Sequence, residues 1–381
     1  MKVVVVGAGV AGLGIGWKLA RAGASVTVLE RAHIGNGATT ASAGMIAAAA
    51  ELGTANTPEA ALARNAKALW PAFRDALQAE AKIDIGYRND GALLVRTKAD
   101  TADHAVPGVS EKLDAEEARV LEPLLGPDIA GAVLAPDEAA VDSPALCRAL
   151  AVALVRAGGQ VISNETAVRF EWDGKRVTGI ATPFTVHHAD AFVLAMGAWS
   201  SRIEGLPPAA VPHVVPVKGE IAVLEPPPGI SLPRHIVWGN GIYLVPRGRR
   251  LLVGATMEEA GFDTSLTQSA LRWLYRQATV LMPSLKDWRL AEHWAGLRPA
   301  SADRLPLLGP AAVEGLYVAS GQFRNGILFA PAVAEVLSRL ILERTPVDPA
   351  FDPRRLGPSI PVAETPHRDV SSEADTWRMG S

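Results

Sequence analysis

Gly7, Gly9 and Gly12 stand in the spacing G-x-G-x-x-G, and Glu30 follows Gly12 by 18 residues. Glycines so spaced suit the binding of a dinucleotide. Gly7 permits a sharp turn out of a strand, Gly9 lets a pyrophosphate approach the backbone, and Gly12 lets the next helix lie close to a sheet. The helix N-terminus then offers unpaired N–H groups and partial positive charge to the phosphates. An acid at the position of Glu30 can accept both hydroxyls of an adenosine ribose. A glycine-rich helix in an ordinary α/β core would leave this spacing and Glu30 unexplained.

A second stretch of chemical interest runs from Gly35 to Met45, all small or hydroxylated side chains up to the methionine. Such a loop can press against a flat ligand, although a flexible linker has a similar composition. Cys147 is the single cysteine, so disulfides within the chain, CxxC redox pairs and cysteine-based zinc sites are excluded. It falls in an expected helix and reads as a core residue. His187, His188, His213, His235 and His293 are placed as surface or structural residues, and no metal site is expected.

The elements that must position these residues follow from local pattern. Val3 to Val6 is an apolar run before the glycines, Val10, Leu13, Trp17 and Ala20 share one helical face, and Gly23 suits a helix C-cap. Val26 to Leu29 closes a strand, turn, helix, strand unit. Helices are expected over Pro58 to Ala81, over Asp114 to Leu121 with Asp114 and Glu117 forming a capping box, and from Ser143 to about 157. Residues 86–97 read as strand, turn, strand. A β-rich stretch follows the prolines of 207–216, then a helix from about Thr267 to Leu281 and a last one over about 327–343. The expected architecture is α/β: a dinucleotide-binding domain from 1–81, 143–206 and 293–345, and an inserted β-rich (α+β) substrate domain from 82–142 and 207–292. The proline-rich remainder, 346–381, reads as a surface tail.

At 381 residues with 49% hydrophobic content the chain can bury the core of two domains. A net charge of −3 without a basic stripe argues against nucleic acid as partner. No apolar stretch long enough to span a membrane is free of the glycines, and the N-terminus lacks the chemistry of a signal peptide, so a cytoplasmic location is expected. A small-molecule partner fits, and homo-oligomerisation is left open.

Taken together, these motifs resemble the D-amino-acid oxidase group of flavoproteins, and within it the glycine oxidases of the thiamine-biosynthesis type. The resemblance is carried by VVVVGAGVAGLG at 3–14, LER at 29–31, ATTASAGMIAAAAE at 38–51, DAFVLAMGAWS at 190–200, YLVPR at 243–247, VGATME at 253–258, AGLRPASADRLPLLG at 295–309 and GQFRNGILFAPAVAE at 321–335. It implies a Rossmann-like FAD-binding domain, with FAD as cofactor. Val10 and Ala11 would line the pyrophosphate, and Glu30 and Arg31 would meet the adenosine. Ala38, Thr39, Ala43, Gly44 and Met45 would border the flavin and phosphates, and Val168 would reach the adenine through its backbone. The run Gln322, Phe323, Arg324, Asn325, Gly326, Ile327 and Leu328 would lie along the isoalloxazine.

For catalysis the resemblance implies that Arg298 grips a substrate carboxylate, Tyr243 shares it, Met257 walls the pocket and Arg324 lies near the substrate. An arginine suits a carboxylate because its planar fork pairs both oxygens. Gly241 and Gln322 stand where relatives carry histidines, which leaves the amine side of the pocket open. The expected reaction is oxidation of glycine or another small amino acid or amine by hydride transfer to flavin N5, giving an imine, then an oxo acid, with hydrogen peroxide from oxygen. A D-amino-acid dehydrogenase using a quinone or another acceptor, and a flavin-containing binding protein without turnover, are the alternatives.

Overall fold

The computed structural model describes residues 1–53, 55–99 and 111–357. Val3 to Val6 are uniformly apolar because the strand Lys2–Val6 is covered on both faces. Val3 and Val5 enter one hydrophobic core, Val4 and Val6 another on the opposite side. The strand sits inside a six-stranded sheet ordered Leu307–Pro310, Leu316–Ser320, Ala191–Leu194, Lys2–Val6, Ser25–Leu29, Gln160–Ile162. Every neighbouring pair is parallel except the first, which is antiparallel. The helix Val10–Arg21 starts directly after the glycine turn and buries Val10, Leu13, Trp17 and Ala20. Gly23 follows it at φ +86°, the left-handed conformation a C-terminal stop requires. Helices Ser143–Arg156 and Gly326–Glu343 pack beside it. The indole N–H of Trp70, in helix Pro58–Ala81, donates to the Leu328 carbonyl at 3.0 Å.

A second, eight-stranded sheet runs Arg289–Ser301, Val214–Glu225, Arg250–Gly254, Ile242–Arg247, Ile236–Gly239, Ala92–Thr97, Ile129–Ala135, Glu111–Asp114. One face packs under helix Gln268–Leu281, through residues such as Val253 and Leu274. The other face meets Ala43, Ala47, Ala49 and Ala50. The chain is thus a Rossmann-like domain joined to a sheet-based one, with the small-residue segment between them.

Several expectations shift. The boundary expected at 293 falls inside the strand Arg289–Ser301, which pairs antiparallel with Val214–Glu225 from Arg289 opposite Glu225 to Ser301 opposite Val214. Its pairing partner, not its place in the chain, assigns it to the second sheet. In 86–91 there is no strand but a single bridge, Arg88 to Ala140. Short helices appear within and just after the small-residue segment, Ala38–Ala41 and Ala48–Leu52, the second in the alanine run where helix preference is strong. The expected tail does not begin at 346: Phe351 is buried in the first core, and Arg355 is ion-paired to Asp303 at 2.8 Å. Residues 358–381 lie outside the described part. Among the described residues no helix is long and apolar enough to cross a membrane.

Candidate active site

The glycine turn is built as its spacing requires. Gly7 has φ +108°, and a Cβ there would stand 2.8 Å from the carbonyl carbon of Ala195, so only glycine passes. Gly12 brings the helix against the turn, since a Cβ there would meet the Gly7 carbonyl. Gly9 precedes the helix N-terminus without a side-chain cap. The Val10 N–H donates to Thr39 Oγ1 at 3.1 Å, which holds the small-residue segment against the turn.

Glu30 does more than its spacing shows. Its Oε2 accepts the Ala8 N–H at 2.9 Å and its Oε1 the Ala32 N–H at 3.1 Å. The carboxylate therefore ties the glycine turn to the end of strand Ser25–Leu29 while still lining the cleft. Two oxygens with two lone pairs each retain room for ribose hydroxyls. The Arg31 guanidinium lies 3.8 Å from the centre of the Trp199 ring, a cation–π contact on the same wall.

These residues open onto one cleft of about 1650 Å³, counted out to its solvent mouth. Gly7, Gly9, Val10, Ala11, Glu30 and Arg31 line it. So do Ala38, Thr39, Ala43, Gly44 and Met45, and the run from Gln322 to Ile327. Four expected residues do not reach it. Gly12 is spent on helix packing. Leu328 lies one residue further round the helix and is buried. Val168 gives its N–H to the Ala181 carbonyl at 2.9 Å and is exposed, while Thr166 and Ala167 form the wall instead. Met257 is half-buried, between Thr256 and Glu258, outside the lining.

Arg298 and Tyr243 meet at the same cleft. Each side chain lies in a hollow left by a glycine. A Cβ on Gly219 would be 2.6 Å from the Arg298 guanidinium carbon, and one on Gly254 would be 2.6 Å from the Tyr243 hydroxyl. Arg298 Nη1 donates to the carbonyls of Lys218 at 3.3 Å and Thr256 at 3.1 Å. Burial pulls the guanidinium below its ordinary pKa, against the pull of the Tyr243 phenol. Burial likewise pushes the Tyr243 phenol up, against the positive charge of Arg298. Arg324 lines the cleft too, ion-paired with Glu51. Burial raises the Glu51 carboxyl and Arg324 opposes the shift.

Under the two carbonyls that hold Arg298 lies a buried charged cluster. Lys218 Nζ is 2.9 Å from Glu220 and 3.4 Å from Glu258. Thr256 donates its hydroxyl to Glu258 at 2.8 Å, and His293 Nε2 is 2.8 Å from Glu220. His187 is anchored on Glu165 at 2.6 Å and His235 on Glu122 at 2.7 Å, whereas His188 contacts the Thr178 carbonyl at 2.9 Å. No histidine is among the described residues lining the cleft.

Sequence reasoning missed Glu51, Trp199 and the Lys218 cluster. The signal for Glu51 was present: it is the lone carboxylate closing the alanine run 47–50. Lys218 carried no local signal, because only burial distinguishes it from a surface lysine.

FAD fits this cleft on the structure's own features. The glycine turn presents backbone rather than side chains, the helix N-terminus after Gly9 faces it, and Glu30 keeps acceptor capacity. Gln322 Nε2 is buried in the wall without a protein partner, a donor awaiting an acceptor. The second helix N-terminus, at Gly326 and likewise without a side-chain cap, also opens here.

Comparisons with known proteins agree. Residues 2–340 match the family described as DAO, FAD dependent oxidoreductase. The chain is similar to the glycine oxidase of Pseudomonas aeruginosa, 35% identical over 361 residues, 92% of this chain and 97% of that one. The crystal structure of glycine oxidase from Geobacillus kaustophilus superposes with a TM-score of 0.86 at 33% identity, covering 93% of this chain and 98% of that one. Iminodiacetate oxidase from Chelativorans sp. BNC1 gives 0.82 at 26% identity, covering 95% and 100%.

Proposed function

The chain belongs to the DAO family of FAD-dependent oxidoreductases, and on that premise we propose that it carries out oxidative deamination of glycine or another small amino acid or amine. The observation that carries the reading is the pair Arg298 and Tyr243, which faces the same cleft as the glycine turn and Glu30. Gly7, Gly9, Val10, Ala11 and Glu30 would hold the adenosine diphosphate part of the cofactor. Ala43 to Met45 and Gln322 to Ile327 would border the flavin. The supporting division of the chain has a cofactor domain from 1–81, 143–206 and 302–357 and a substrate domain from 82–142 and 207–301. In it, Arg298 belongs to the substrate sheet and Arg324 to the cofactor domain.

FAD, when bound, would accept the α-hydrogen with its electron pair as hydride and pass the two electrons to oxygen, the Cα hydrogen and the proton shed by the substrate nitrogen completing hydrogen peroxide. The chain's part is positioning. Arg298 pairs both carboxylate oxygens and the Tyr243 hydroxyl adds a further hydrogen bond, which fixes Cα against the cofactor wall. The amine reacts in its neutral form, its lone pair becoming the C=N bond as the α-hydrogen leaves with its electron pair. The helix N-terminus at Gly326 favours negative charge in the cleft. The imine then adds water to give an oxo acid and ammonia.

The test mixes the purified yellow protein with glycine, sarcosine, D-alanine and carboxylate-free amines without air. Bleaching by the carboxylate-bearing amines, with colour and peroxide on admitting air, is the expected result. A colourless preparation, or one that none of these amines bleaches, would overturn the reading.

A further inference from the structure

Arg298, Arg324 and Glu51 all line the cleft. Glu51 forms its ion pair with Arg324, and its side chain is 8% exposed. It is carried by the short helix Ala48–Leu52, whose alanines Ala48, Ala49 and Ala50 are buried while Glu51 lines the cleft. That helix is itself pinned. The fully buried Glu138 accepts the Ala49 N–H at 3.0 Å and the Lys67 ammonium at 2.8 Å. On the other side of the pair, Asn325 donates to Glu59 at 3.2 Å, which steadies the loop bearing Arg324. Glu51 is thus presented to the cleft by a braced element, and its charge reaches Arg298 and Tyr243 as well as Arg324.

The charges then decide what fits. Among these three side chains the two guanidiniums outnumber the one carboxylate. We propose that Glu51 sets the charge of the substrate: by occupying Arg324 it leaves Arg298 to receive one carboxylate, and it disfavours amino acids bearing a second. A second carboxylate has to lie against Glu51 or displace it from Arg324, and either way like charges approach in a site shielded from water. Removing the negative charge while keeping the shape removes that like-charge approach. The inference rests on the carboxylate-binding role of Arg298 set out under Proposed function.

The experiment titrates the holoenzyme with acetate and with malonate dianion, following the flavin absorbance. Parent, Glu51→Gln, Glu51→Ala and Glu51→Asp are compared. In Glu51→Gln and Glu51→Ala the affinity for malonate relative to acetate should rise about tenfold or more, since the like-charge penalty is gone. Glu51→Asp keeps the charge and should keep the parental ratio. In turnover the ratio of iminodiacetate to sarcosine oxidation should move the same way. If the ion pair only braces the loop, all three variants lose thermal stability and scale both ligands equally, and the inference falls. Failure of acetate to bind the parent would instead overturn the substrate class, which separates the two readings.

Discussion

The Arg298 guanidinium occupies the space above Gly219 that a side chain there would need: a Cβ would sit 2.6 Å from the guanidinium carbon and closer still to its nitrogens. The colliding group is the far end of a flexible side chain, so Gly219→Ala should displace the arginine rather than unfold the sheet. A misplacement of about 1 Å costs roughly 100-fold in rate. We expect a loss of that order in kcat/KM for glycine, with full FAD content and a nearly parental melting temperature. Steady-state kinetics with a flavin count checks it; an unchanged kcat/KM would mean that Arg298 does not hold the substrate.

Arg298→Ala should be more severe. Truncating one member of a buried charge pair costs about 2–5 kcal/mol, or roughly 30- to 5,000-fold in kcat/KM at about 1.4 kcal/mol per tenfold. Arg298→Lys should not recover fully, because an ammonium lacks the two-pronged contact. Carboxylate-free amines should lose little. Equal losses on every substrate would mark a structural arginine instead.

Glu30→Ala should weaken FAD retention and also destabilise the apoprotein, because the carboxylate holds the N–H groups of Ala8 and Ala32. Hydrogen bonds to a charged group contribute about 1.5–3 kcal/mol each. Thermal melts of apo- and holoprotein separate the two effects: an apoprotein as stable as the parent would show that the two backbone bonds contribute nothing.

Lys218→Met removes the cation from a buried cluster and leaves Glu220 and Glu258 facing each other. Breaking a buried ion pair on one side costs about 3–5 kcal/mol, which urea unfolding should show. The carbonyls of Lys218 and Thr256 that hold Arg298 should shift with it, raising KM for carboxylate substrates more than it changes FAD content.

Cys147 gives a pH signature. Burial, and then the negative charge of Glu30, push its thiol up to about 12 from 9.0. Between pH 9.0 and about 12 the unfolded chain sheds a proton that the native chain keeps, so this residue makes stability fall as pH rises across that window. Cys147→Ala should flatten the decline. A thiol reagent should label the native parent only on unfolding.

The sequence by itself determined what depends on neighbours a few residues apart. The glycine turn, the capping box of Asp114 and Glu117, the stop at Gly23 and the helix Pro58–Ala81 follow from steric limits on φ and from the helical period. Their recurrence in a known order also made the family legible, and with it Arg298 and Tyr243. Other features depended on which distant segments met. Glu51 and Arg324 are 273 residues apart, and nothing local to either marks the pair. The strand Arg289–Ser301 has no pattern that chooses between two sheets; its hydrogen bonds to Val214–Glu225 choose. Val168 was expected to reach the cofactor through its backbone, yet its N–H pairs with the Ala181 carbonyl, and Met257 stands half-buried outside the lining. Lys218 is ordinary in sequence and consequential in the fold, because desolvation is what gives a charge its weight, and desolvation is a property of the packed chain.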